Sequence, residues 1–259
     1  MTTPVYLETG SKRVFAAALE WPGWCRSGRD EEGALEALSA AAPRYAVAAA
    51  EAGFPLSEGV AGGFRVVERV PGSASTDFGA PGAIPARDSE PLTVEEAGRL
   101  AALLAASWEL LDRVAAAAPA ELRKGPRGGG RDTEAVVGHV IAAELSYARK
   151  LGIKRPGSAA PPARSATPGR WSAGASLSGD PEAVSGLRRA VLEVLARPSG
   201  GAPVVERGWP PRYAARRFAW HVLDHAWEIE DRSDLTPPGT PSPSGGRTSA
   251  PAPRRSSSA

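Results

Sequence analysis

Three histidines are the whole complement of this 259-residue chain, and two of them, His221 and His225, stand four residues apart. On a helix that spacing puts both imidazoles on one face, one turn from each other, where a single metal ion can take both. At about 100° per residue the same stripe collects Ala214, Phe218 and Ile229, with Val222 at its margin, so the pair points inward. His139 shares a face with Val136, Ala143 and Tyr147 and points inward too. A neutral imidazole is a good ligand for zinc, nickel, copper or iron, and three protein ligands leave positions open for water or substrate. The expectation is an open metal site on His139, His221 and His225, with zinc or nickel first among the ions.

The neighbours of the pair carry further chemistry. Arg217 lies one turn before His221 and could hold a carboxylate on a substrate. Glu228 lies one turn after Asp224 and could act as a general base, or accept a hydrogen bond from an imidazole N–H. Asp224 points away from the stripe and reads as a partner for Arg216 or Arg217. Tyr147 reads as packing at the pocket wall. Trp220 and Trp227, seven apart on a flank, should pack against another helix or the N-terminal part. Cys25 is the only cysteine, which excludes an internal disulfide and a thiolate cluster.

Four helices must position these residues. Thr93 and Glu96 form a capping box that opens a helix running to about Ala118, with Leu100, Leu103, Leu104, Trp108 and Leu111 as its apolar stripe. Asp132 or Thr133 caps a second helix ending near Gly152, and a loop over 153–178 follows. Asp180-Pro181 starts a third with a proline where the missing N–H costs nothing. The fourth spans about 212–232. Four amphipathic helices make a bundle, and the long loop could cross it so that the second and third run parallel.

Ahead of the helices lies a different pattern. Residues 4–9 and 13–20 hold β-formers around a Thr-Gly-Ser-Lys turn, Trp21-Pro-Gly-Trp24 breaks the second strand, and Asp30 caps a helix over 31–52. Phe64–Val70 reads as a third strand. The fold class is thus an α+β ββαβ domain over 1–70, a linker over 71–91, an all-α four-helix bundle over 92–235, and a tail over 236–259. The tail is Pro/Ser/Gly with arginines and too few apolar residues to offset its ordering entropy, so it reads as disordered. The net charge of +2 and the absence of a basic stripe with interleaved aromatics give no call for nucleic acid. The N-terminus lacks a signal-peptide pattern, and no apolar run approaches a membrane span of roughly 20 residues, so a cytoplasmic protein without membrane contact is expected.

The segment Trp220-His-Val-Leu-Asp-His225, closing a four-helix pattern with a histidine in the second helix, resembles the DinB superfamily over roughly residues 92–232. That resemblance implies metal ligation by His139, His221 and His225. It also implies a transferase or isomerase that uses a low-molecular-weight thiol, mycothiol or bacillithiol, with a small-molecule substrate. Val14-Phe-Ala, then Trp21-Pro-Gly-Trp-Cys-Arg-Ser-Gly28 and an acidic helix start, is similar to HicB-like antitoxin domains over about residues 3–70. No DNA-binding helix is appended, so an interaction or dimerisation module is implied, and a homodimer with it. The competing function is a binding or regulatory protein that recruits a partner through this module and keeps the metal for structure.

Overall fold

The computed structural model describes residues 2–124, 130–154 and 179–233. The tail expected over 236–259 and most of the loop expected over 153–178 lie outside them. Four strands come first: β1 (Thr3–Thr9), β2 (Val14–Ala18), β3 (Cys25–Gly28) and, after three helices, β4 (Phe64–Pro71). Their spatial order is β3-β2-β1-β4, antiparallel except that β4 runs parallel to β1. The alternation of side chains splits the sheet cleanly. Val5, Leu7, Val14, Ala16 and Ala18 join the main apolar cluster, whereas Tyr6, Phe15, Ala17 and Cys25 face the other way and meet Trp220. Burial on both faces explains why β2 reads as an unbroken apolar run.

Two differences from the expected ββαβ order have local causes. The Trp21–Trp24 turn does not merely end β2; it reverses the chain into β3, which pairs Ala17 with Cys25 and Val14 with Gly28. The residues Cys-Arg-Ser-Gly lack strand formers, so only the partner strand defines them. The helix expected over 31–52 is two, α1 (Glu31–Ala40) and α2 (Ala42–Glu51), followed by the short α3 (Glu58–Ala61). Pro43 cannot donate to the carbonyl four residues back and its ring crowds that carbonyl, so the helix restarts there.

The segment 71–91 carries structure. It holds α4 (Ala74–Phe78), whose capping box joins Ser73 and Thr76, and a 3-10 turn at Ala86–Ser89. The buried Glu8 carboxylate ties this segment to the sheet by accepting from Thr76 Oγ1 and from the amides of Gly82 and Ala83.

Four long helices follow among the described residues: α5 (Val94–Ala117), α6 (Thr133–Arg149), α7 (Pro181–Leu195) and α8 (Pro211–Arg232). The Thr93/Glu96 capping box and the Asp180 cap form as the sequence predicts. Helix α8 packs against α5 and α6, and α7 packs against both α5 and α6. Hydrogen bonds and an ion pair give the directions. The Trp209 amide donates to Lys150, where α6 has just ended and α8 is about to begin, so these two helices are antiparallel. Arg212 donates to Pro91 at the head of α5, and the Arg123 amide donates to Arg232, so α5 and α8 are parallel. Leu92 and Ser199 bridge, and Arg188 pairs with Asp112, which makes α7 antiparallel to α5 and so parallel to α6. One apolar cluster extends from Val5 and Trp24 through Leu104 and Val140 to Phe218 and Ile229. No helix among the described residues is long and apolar enough to cross a membrane.

Candidate metal centre

Helices α6 and α8 bring all three histidines together. His139, His221 and His225 each present a ring nitrogen, and these atoms lie within 4.8 Å of one another. The ring centroids are 4.7 Å apart for His221–His225, 4.9 Å for His139–His225 and 5.1 Å for His139–His221. The His221 and His139 Nε2 atoms face each other at 3.3 Å. The antiparallel crossing sets this up: the four-residue spacing stacks two imidazoles on the inward face of α8, and the middle of α6 delivers the third.

Each ring has a distinct environment. His221 is buried, and its Nδ1 is enclosed without a hydrogen-bond partner among the described residues. Burial pushes its pKa well below the usual histidine value, helped by the neighbouring imidazoles and by Arg217 and Arg131. His139 is half-buried, and burial with the charge of Arg131 holds it down to about 4. Both are therefore neutral at pH 7, the form that has a lone pair to give. His225 Nδ1 meets Glu228 Oε2 at 2.8 Å, and the other oxygen of Glu228 accepts from Arg232 at 2.8 Å. The hydrogen bond from His225, with Arg232 beside it, lowers the Glu228 pKa and keeps it a carboxylate. A carboxylate on Nδ1 favours a proton on that nitrogen and turns Nε2 of His225 toward the role of a metal donor.

Three ring nitrogens within 4.8 Å of one another could hold a metal ion. For bonds of about 2.0–2.1 Å, tetrahedral sites space their nitrogen ligands by about 3.3–3.4 Å. The observed 3.3 Å between Nε2 atoms of His139 and His221 matches that edge. Three nitrogen ligands, one with a carboxylate behind it, suit zinc or nickel better than calcium or magnesium, which take oxygen.

Of the other residues singled out in the sequence, Arg217 and Tyr147 lie beside this centre. Arg217 lies against the rings of Trp220, at 4.8 Å, and Tyr147, at 5.4 Å, and donates to the Pro81 carbonyl. It has no carboxylate partner among the described residues. Tyr147 borders the site, with its ring 5.8 Å from that of His221. Trp220 packs edge-on against Phe15 of the sheet, as an N-terminal contact was expected to do. Asp224 does not pair with Arg216 or Arg217. Its partner is Arg26, at 2.8 Å, while Arg216 pairs with the buried Asp88. Both pairings span the chain, and no local spacing announces them. Cys25 is buried at the start of β3 rather than in a turn, and burial raises its thiol pKa, which leaves it inert. Arg232 was missed in the sequence, although its position four residues after Glu228 is the ordinary spacing of a helical ion pair.

No family model matches the chain, and no curated protein or solved structure does either.

Proposed function

We propose that residues 92–235 form a four-helix bundle holding zinc or nickel on His139, His221 and His225, and that this centre serves a transferase or isomerase using a low-molecular-weight thiol. One observation carries the reading: the only three histidines of the chain converge from two helices until their nitrogens lie within 4.8 Å. Burial that keeps two of them neutral, and a carboxylate behind the third, are what a ligand set needs. The resemblance to the DinB superfamily adds the thiol, and the cytoplasm supplies such thiols in reduced form.

When bound, the metal supplies Lewis acidity that favours the thiolate, or hydroxide, at neutral pH. The chain's own groups then have separate tasks. Glu228 holds the proton on Nδ1 of His225 and so presents Nε2. Arg217, already stacked on Tyr147 and Trp220 and without a carboxylate partner among the described residues, offers its charge to a carboxylate on the substrate. In this reading Glu228 is a positioning group rather than a free base, because both of its oxygens are engaged.

Calorimetric titration of zinc-loaded protein with mycothiol or bacillithiol tests the thiol. Binding with proton release at pH 7, lost in the His221→Ala/His225→Ala variant, is expected. Heat from neither thiol would overturn the thiol-dependent assignment.

A second reading keeps the metal for structure alone. The burial of His221 favours it, since a closed site packs its imidazoles away from solvent. His225 retains 12% of its side-chain exposure and Glu228 32%, which favours the open site.

A further inference from the structure

Helix α8 carries the site in a sequence of doublets. In Arg216/Arg217, Trp220/His221, Asp224/His225, Trp227/Glu228 and Asp231/Arg232, the second residue builds or borders the histidine centre. The first residue of each is anchored in the sheet-bearing part or in the segment 71–91 that follows it. Arg216 pairs with Asp88, and Trp220 packs on Phe15 with centroids 6.3 Å apart. Asp224 accepts from Arg26 at 2.8 Å. Trp227 lies under two guanidiniums, Arg26 at 4.0 Å and Arg44 at 5.3 Å, and Arg44 reaches on to Asp231 at 2.9 Å. Adjacent residues on a helix point about 100° apart, so one face of α8 reads the sheet and the other faces α6.

Small rotations of such a helix matter. With side chains the helix has a radius of about 5–6 Å, so turning it by about 10° moves an imidazole by about 1 Å. Metal ligands are held to within about 0.2 Å. The azimuth of α8 therefore has to be fixed to a few degrees, and directed ion pairs and ring stacking add to the packing of the core in fixing it. Arg26 and Arg44 each grip two successive anchors, and those of Arg26, Asp224 and Trp227, are the pair that flank His225 and precede Glu228. The turn that leads into β3 presses on the same helix: Gly23 sits where a Cβ would come within 2.7 Å of Leu223 and 3.1 Å of the Ala219 backbone.

We infer that Arg26 is a positioning residue for the histidine centre, acting from the sheet through Asp224 and Trp227 on His225 and Glu228. The α8-facing surface of the N-terminal part is then committed within the chain and is not a surface for recruiting a partner. The inference rests on the metal reading only for its second readout.

The test compares full-length wild type with Arg26→Ala, Asp224→Asn and the control Arg69→Ala, which removes an exposed ion pair with Glu31 that involves no residue of α8. The first readout is the imidazole nitrogen and proton resonances of His225 in metal-free protein. The second is zinc affinity by chelator competition. Arg26→Ala and Asp224→Asn should shift the His225 ring signals and weaken zinc binding about tenfold, at the lower edge of what outer partners of ligands contribute. Arg69→Ala should change neither. Should Arg26→Ala fail to fold, Asp224→Asn decides, since Asp224 is 40% exposed and the change preserves shape. His225 signals identical to wild type in the folded variants would overturn the inference. A wild type that takes up no zinc would overturn the metal reading instead, with the ring signals still deciding the positioning role.

Discussion

At the scale of single residues, neutrality is what makes an imidazole a ligand, and burial supplies it for His139 and His221. The same burial has a consequence for stability. His139 has a folded pKa of about 4 against an ordinary value of 6.5, so between those values the unfolded chain binds more protons than the folded one. The metal-free protein should lose stability as pH falls from about 6.5 toward 4, and the contribution of the histidine should be flat above that window. Denaturant midpoints measured at pH 7 and pH 5 for wild type and His139→Gln check this. The wild type should lose more than the variant, and equal losses would remove the histidine from the account. Glu228 invites a second test. Glu228→Ala should weaken zinc binding about 10- to 100-fold by freeing the His225 ring, and Glu228→Gln, which keeps an acceptor, should weaken it less. Chelator competition reads both, and an unchanged affinity would assign Glu228 to surface pairing with Arg232. The three clustered histidines were legible in the sequence because helix periodicity fixes which side chains share a face. The partner of Asp224 was not, because Arg26 is 198 residues away in the chain.

At the scale of elements, the helices announced themselves through their ends. Thr93/Glu96 and Asp180-Pro181 are local chemistry, and local chemistry survives the fold around it. The first part of the chain was less legible for the opposite reason. Strand β3 exists because β2 offers it a ladder, and its own residues carry no strand preference. Pro43 did carry a signal, and the break between α1 and α2 follows from it. The Trp21–Trp24 turn shows how an element can serve another at a distance. Trp24 Nε1 donates to Leu38 at 2.8 Å, Tyr45 donates to the Pro22 carbonyl at 3.0 Å, and Gly23, with φ of +92°, lies against α8. Gly23→Ala should destabilise the protein by about 1–3 kcal/mol, since the backbone conformation and the space both oppose a Cβ. Thermal or denaturant unfolding measures it, and a neutral result would mean the turn does not bear on α8.

At the scale of the molecule, composition divides the chain into a sheet-rich part and a helical part, yet the apolar cluster does not stop at the boundary. Trp24, Leu38 and Tyr45 belong to the same cluster as Leu104, Phe218 and Trp227. Segment 71–91, which reads as a linker from its Pro and Gly content, places Asp88 against Arg216 and is itself fastened to Glu8. Composition reports how a segment would behave alone and is blind to a buried ion pair waiting in another helix. Tryptophan fluorescence and far-ultraviolet circular dichroism should therefore show one coincident unfolding transition in denaturant. Two separated transitions would mean the sheet part is an independent unit.

The central claim, that the chain's three histidines hold a metal, is tested most directly by the metal content of protein purified without chelator or affinity tag, beside the His221→Ala/His225→Ala variant. Near-stoichiometric zinc or nickel in the wild type and none in the variant is the predicted result. A wild type that is metal-free and takes up neither added ion would contradict it.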